Sequence, residues 1–577
     1  MLDHEKSLNT TLVCGDIEHA EGVEVRPNSE CNMPCPGDPT HTCGGPNRDT
    51  FYVWNGPPLQ TWHYPENKGR YEILMDGVVI PLMTTLGLNN KIIFVDKFGT
   101  GALNSTGSYE LDMSLVDQGP YVAHRPLHVK TDVFCAAGLT LPDKASRLLN
   151  IGGWSTESTY GLRFYAPDGS PGTPGVNDWE EDVNTVALQR GRWYPGVMIM
   201  ANGSILVVGG QEGANVAPIP DLEVLPKPEG GPTYLYMDWL QRTDPWNLYP
   251  YLWVLPHGDI LTIYYNEARI LDEVTFETKR VLPNLPGAVN QPLGGRSYPL
   301  EGTAMFLPQH YPYTDPIEVV ACGGSTPGPG VALDNCVSIQ PENPDAQWVI
   351  ERMPSKRVMT CMVTLPDGTF LLMNGAKHGV AGFALAEDPN LEAVLYDPYK
   401  PVGERFSVLD STDIPRLYHS EATLLQDGRV LVSGSDPQDV RFEQEHRLEV
   451  FYPPYLTSGL PQPGFTIIET DWEYNTNYTF TVESALDQGA RVSLISAVTS
   501  THGTSMNQRI LFPNVHCIGV TCTVTAPPNT HICPPGWYQM YVLNGSTPSW
   551  SEWVRIGGDP AELGNWPNAP GFNPPGI

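Results

Sequence analysis

Charge is scarce in this 577-residue chain: charged side chains make up 17% of it, where about a quarter is usual. The charge present leans one way, with 65 acidic against 33 basic residues and a formal net of −32. No Lys/Arg cluster offsets it locally. Such a polyanion repels nucleic acid and anionic membrane surfaces, so neither is expected as a partner. Long apolar runs are also missing; none approaches the ~20 residues of a membrane-spanning helix. Met1-Leu-Asp-His-Glu-Lys lacks the apolar core of a signal peptide, so the precursor start is expected upstream. Repeated C-x-x-C spacing is absent, which argues against structural zinc. Helix signals are nearly absent; "DKASRLL" from 143 reads as no more than a short turn.

Gly (56) and Pro (57) are abundant, together about a fifth of the chain, short of the disorder range and suited to many short strands and turns. Eleven cysteines are present. Cys14, Cys31, Cys35 and Cys43 crowd the first fifty residues, Cys322 and Cys336 bracket a Gly/Pro loop, and Cys517 and Cys522 lie five apart. These groupings suit disulfides in an oxidising compartment. The count is odd, leaving Cys135, Cys361 and Cys533 without an evident partner; the last two are either a pair or two free thiols. Five N-x-S/T sequons, at Asn9, Asn104, Asn202, Asn477 and Asn544, fit a secreted glycoprotein.

A strand motif recurs. Short apolar runs, most ending in Gly, appear as "KIIFVDKFG" from 91, "RLLNIGG" from 147, "SILVVGG" from 204 and "DILTIYY" from 259. They continue as "IEVVACGG" from 317, "TFLLMNG" from 369 and "RVLVSGS" from 429. Several follow a turn, such as Asn202-Gly203 or Asp427-Gly428. A period of about fifty residues is the kelch signature, one four-stranded sheet per blade. From about 463 the strands come at the closer spacing of a sandwich. The expected fold is therefore all-β. A seven-bladed kelch-type β-propeller spans 65–455, and an immunoglobulin-like β-sandwich spans 462–558. A small disulfide-rich module covers 1–54, and an irregular Pro/Gly-rich tail covers 559–577.

Ligand-type side chains stand where strands nearest the propeller axis begin or end: Cys135 in "TDVFCAAG", Tyr194 in "GRWYPG", the pair Tyr418-His419, and His502 in "STHGTSMNQRI". Singly each has a bland explanation: a packed Tyr-His pair, a buried thiol acting as a small hydrophobe, a loop histidine. Together, two imidazoles and two phenolates form a tetragonal N,O set suited to Cu(II). Adjacent strand residues point to opposite faces, so Tyr418 and His419 must sit at an irregular strand start to share one metal. Asp413 and Pro415 just upstream fit that irregularity.

Five stretches carry a family resemblance: "RWYPGVMIMANGSILVVGG", "LQRTDPWNLYPYLWVLPHGDI", "NGAKHGVAGFALAEDPNLEAVLYDP", "RLYHSEATLLQDGRVLVSGSDP" and "STHGTSMNQRI". In them the chain resembles the fungal copper radical oxidases, the glyoxal oxidase branch rather than galactose oxidase itself, over roughly residues 65 to 560. The first fifty residues resemble a WSC carbohydrate-binding module, without the cysteines expected before Cys14.

The resemblance implies one copper held by Tyr194, Tyr418, His419 and His502, with a thioether joining Cys135 to the Tyr194 ring. Tyr418 is then the general base and the modified Tyr194 a radical cofactor. The implied activity is two-electron oxidation of small aldehydes of the glyoxal or methylglyoxal type, as hydrates, to carboxylic acids, with dioxygen reduced to hydrogen peroxide. Primary alcohol or galactose oxidation on the same site is the alternative, and a non-catalytic carbohydrate- or wall-binding protein a third. The protein is expected to be a secreted, extracellular monomer, with polysaccharide a further partner through the N-terminal module. Galactose oxidase stacks a tryptophan on its modified tyrosine; here that stretch reads "GGQEGANV", with Glu212 near the position. Trp154 and Trp193 are the alternatives for that cover.

Overall fold

The computed structural model describes residues 34–35, 38–42, 60–96, 107–230, 234–287, 294–328, 330–570 and 572. Of the expected N-terminal module only the pairing of Pro34–Cys35 with Asp38–Thr42 falls among them. The other cysteines of that module, and the sequons at Asn9 and Asn104, lie outside the described residues.

The all-β character is borne out: strands dominate and helix is confined to short segments such as Pro120–Ala123 and Asp238–Thr243. Antiparallel sheets follow one another along the chain. Their leading strands are Met83–Leu86, Ala137–Thr140, Gly196–Ile199, Tyr251–Val254, Gly302–Phe306, Cys361–Thr364 and Ser420–Leu424. The second strands, among them Ile92–Val95, Ile205–Val208, Phe370–Met373 and Val430–Gly434, are the apolar runs of the sequence repeat. Leading and second strands are buried on both faces by neighbouring sheets, which is why they read as continuous apolar runs without alternation. Outer strands such as Thr278–Val281 are largely exposed and carry no such signal. The last sheet is completed by Arg70–Met75, which pairs with Leu448–Tyr452, so hydrogen bonds join the two ends of this region.

A buried arginine braces several sheets. From the segment before a leading strand, Arg192, Arg357 and Arg416 donate to the carbonyls of Gly209 (2.8 Å), Asn374 (3.0 Å) and Gly434 (2.8 Å), each at the end of the second strand. Arg296 makes the same bond to Gly323. Arg192 and Arg416 are paired with the buried carboxylates Glu223 and Glu449.

The C-terminal unit packs two sheets face to face. One contains Phe465–Ile467, Asn477–Val482, Thr521–Thr525 and Val515–Ile518; the other is built on Ala490–Ser496, Gly536–Asn544 and Glu552–Ile556. Trp472, Phe480, Leu494, Val524 and Met540 fill the space between. The alternating exposure of Asn477–Val482 marks a sheet solvated on one side. In the tail, Leu563 is buried and Trp566 packs edge-on against Phe164 at 5.1 Å. Disulfides join Cys322 to Cys336 and Cys517 to Cys522. Cys361 and Cys533 are buried and separate, which settles the open pairing as two free thiols.

One element binds the units together. The hairpin Thr499–Thr501/Thr504–Met506 leaves the sandwich, pairs with Met83–Leu86, and touches the leading strand of every sheet named above. Its two turn residues, His502 (φ 50°) and Gly503 (φ 68°), are both left-handed, the pattern of a type I′ hairpin turn. A Cβ on Gly503 would lie 2.6 Å from Thr360 O and 2.8 Å from Gly302 O, and neither backbone atom can yield. Gly503→Ala is therefore expected to lower stability by roughly 1–3 kcal/mol, the cost of overpacking. Urea titration against wild type checks this, and an unchanged midpoint contradicts the wedge.

Candidate metal centre

The sheets meet the 499–506 hairpin next to residues of positive φ. Cys135 (59°), Tyr194 (61°), Tyr249 (49°), Met359 (57°) and His419 (59°) each stand just before a leading strand. Left-handed backbone is unfavourable for such side chains, so the surrounding bonds must impose it. Tyr194 N–H donates to Cys135 O and Tyr249 N–H to Tyr194 O, both at 3.1 Å, which sets these turns side by side. At His419 the left-handed residue interrupts strand alternation. The Tyr418 and His419 rings therefore stack, centroids 3.8 Å apart, instead of pointing apart.

The five residues singled out in the sequence converge. Tyr194 Oη lies 2.7 Å from Tyr418 Oη and 3.2 Å from His502 Nε2. Cys135 Sγ is 3.9 Å from that same nitrogen, and the His419 and His502 rings are 5.0 Å apart and nearly perpendicular. All are buried; Cys135 and Tyr194 are wholly inaccessible. Thr501 fixes the tautomer of His502. Its hydroxyl donates to Leu82 O at 2.7 Å and so accepts from His502 Nδ1–H at 2.7 Å, which leaves Nε2 with a lone pair aimed at the phenols. Nε2 of His419 is buried with no hydrogen-bond partner, a state worth about 1–3 kcal/mol of penalty unless something binds it.

Burial sets the protonation states. It pushes His502 down to about 3 and His419 well below its usual value, so both rings are neutral and able to donate a lone pair. It pushes Tyr194 and Tyr418 well above the usual phenol range, with nearby Cys135 and Tyr298 adding to the rise. A cation between them would reverse that shift and draw off the phenolic protons. Glu421, also buried, is pushed up to about 8 by desolvation.

The donor set fits copper: two neutral imidazole nitrogens, one without a partner, facing two phenol oxygens. The Cys135 thiol completes a Cys-His-His cluster. Tyr194 Oη stands nearer His502 Nε2 than the sulfur does.

The cover over Tyr194 is neither tryptophan considered. Tyr298 stacks on its face, centroids 4.0 Å apart and 18° from parallel. Trp193, tied to Tyr194 by one peptide bond, lies beside the ring at 72°. Trp154 is partly exposed and packs on Phe134. Tyr298 Oη also lies 3.3 Å from Tyr418 Oη. A signal for it exists in the sequence: Arg-x-Tyr occurs at 192–194, 296–298 and 416–418, before leading strands, and once more at 163–165, inside the strand Leu162–Tyr165. Phe134 and Phe383, stacked on each other, both stand edge-on to His419 at 5.4 Å and form an aromatic wall. Both went unnoticed in the sequence, as did Tyr249, Thr501 and Glu421.

Known proteins resemble this chain in sequence and in fold. Residues 115–455 match the glyoxal oxidase N-terminus family, and residues 462–556 the galactose oxidase-like early set domain. A WSC domain-containing protein of Arthroderma benhamiae is 59% identical over 98% of this chain, which spans 61% of that relative's length. An aldehyde oxidase GLOX of Vitis pseudoreticulata is 34% identical over 75% of this chain and 83% of its own. A fungal alcohol oxidase solved in complex with copper superposes with a TM-score of 0.67 at 17% identity, covering 85% of this chain and all of that one, a likeness of fold. The chain belongs to the glyoxal oxidase family and carries a galactose oxidase-like early set domain at its C-terminal side.

Proposed function

We propose that the protein is an extracellular copper radical oxidase that converts small aldehydes to carboxylic acids and dioxygen to hydrogen peroxide. The observation that carries this reading is the meeting of two imidazoles and two phenols around the unpartnered Nε2 of His419. Tyr194, Tyr418, His419 and His502 hold the metal, and Cys135 is joined to the Tyr194 ring by a thioether. The sheets form a seven-bladed propeller, with the leading strands packed around the 499–506 hairpin. Aldehydes rank before alcohols because the Vitis relative is named an aldehyde oxidase.

An aldehyde hydrate gives up two electrons and two protons on becoming an acid. Copper bound at the four donors would supply an open coordination position and accept one of the electrons. Tyr418 takes the hydroxyl proton as general base, its phenolate stabilised by the adjacent cation. Tyr194, as a phenoxyl radical, takes the carbon-bound hydrogen atom and with it the second electron. The Cys135 sulfur donates electron density to that ring and eases its oxidation, and Tyr298 covers its face. Phe134 and Phe383, edge-on to His419, exclude water from that side. Dioxygen then takes both electrons and both protons and leaves as hydrogen peroxide.

Copper-loaded protein in air is expected to release peroxide from glyoxal or methylglyoxal and little from galactose. The reverse order would favour the alcohol oxidase reading, and no peroxide from any substrate would refute oxidase activity. After copper loading, proteolysis and mass spectrometry should recover the Cys135 and Tyr194 peptides as one species lacking two hydrogens. Separate unmodified peptides would leave the non-catalytic reading standing. Tyr194→Phe is expected to fold yet lose turnover by orders of magnitude; substantial peroxide from it would rule out the radical route.

A further inference from the structure

Glu421 has no part in the mechanism above, yet it is fully inaccessible and sits two residues beyond His419, on the leading strand Ser420–Leu424. The left-handed residue at His419 breaks strand alternation, and the Glu421 side chain points inward from the strand proper. There it meets the hairpin. One carboxylate oxygen accepts the backbone N–H of His502 at 2.6 Å, and the other bonds the Ser500 hydroxyl at 2.7 Å. Ladder pairing fixes Thr499–Thr501 against Met83–Thr85, but His502 lies in the turn beyond that ladder. Its N–H would otherwise be a buried donor without a partner, which folded proteins rarely tolerate. The bond from Glu421 therefore ties the turn carrying one imidazole to the strand that directly follows Tyr418 and the other imidazole.

We propose that Glu421 is a positioning residue for the metal centre, holding His502 in register with Tyr418 and His419 across the boundary between the two units. The inference rests on reading the four donors as a metal site. Its test uses Cu(II) alone on metal-free full-length chain, with affinity measured by chelator competition and geometry by the Cu(II) electron paramagnetic resonance spectrum. Glu421→Leu, similar in bulk but without an acceptor, is expected to weaken Cu(II) binding by about 10–100-fold, the usual cost of losing an outer-shell partner, and to shift the spectrum. Glu421→Gln is expected to restore both, since its amide oxygen can accept from His502 and its amide N–H can donate to Ser500. Should the leucine variant not fold, Glu421→Asp takes its place; its shorter arm cannot span both donors, and unchanged affinity there overturns the proposal. So does a folded leucine variant whose unfolding midpoint falls while its Cu(II) affinity and spectrum stay as in wild type. Wild-type chain that takes up no Cu(II) overturns the metal reading and this inference together; wild-type binding with unaltered variants overturns this inference alone.

Discussion

The centre depends on a two-residue turn. His502 and Gly503 are both left-handed, and the turn fits only because Gly503 has no side chain to strike Thr360 O and Gly302 O. Everything that makes His502 useful follows from that seat. Its Nδ1 meets the Thr501 hydroxyl, its backbone N–H meets Glu421, and its Nε2 faces the phenols. A bulkier turn could not fit between so many closely packed strands. The sandwich thus serves the site by placing one imidazole among residues supplied by three separate sheets.

The sheets contribute through a different form of strain. Left-handed residues before the leading strands turn Cys135, Tyr194 and His419 inward, at a backbone cost of about 1–3 kcal/mol each. Rigid surroundings sustain them. The buried arginines at 192, 296, 357 and 416 tie those same segments to the ends of the second strands, and the carboxylates opposite Arg192 and Arg416 keep the charge paired. Ordered ligand geometry and buried ion pairs are here two parts of one scaffold.

Much of this was legible in the sequence, for identifiable reasons. Second strands such as 205–208 and 430–434 are covered on both faces and leave an apolar run that periodicity detects; outer strands such as 278–281 are exposed and leave none. The ligand-type residues stood out because Tyr418 and His419 are adjacent, a placement that regular strand geometry does not reward. For a cover the resemblance points to the Gly-Gly after Tyr194, whereas the stacking ring, Tyr298, comes from another sheet. The pairing state of Cys361 and Cys533 needed coordinates, since spacing says nothing about two thiols in different units. Glu421 carries no local mark at all; its partners lie about eighty residues away and only folding brings them near.

The pairing of Arg70–Met75 with Leu448–Tyr452, together with the late position of His502, bears on the order of events during synthesis. A nascent chain cannot finish its last sheet until residue 452 has left the ribosome, and it lacks its second imidazole for a further fifty residues. Prematurely terminated products therefore present at most an incomplete ligand shell. Redox chemistry of the kind proposed is withheld from every fragment that stops short of residue 502.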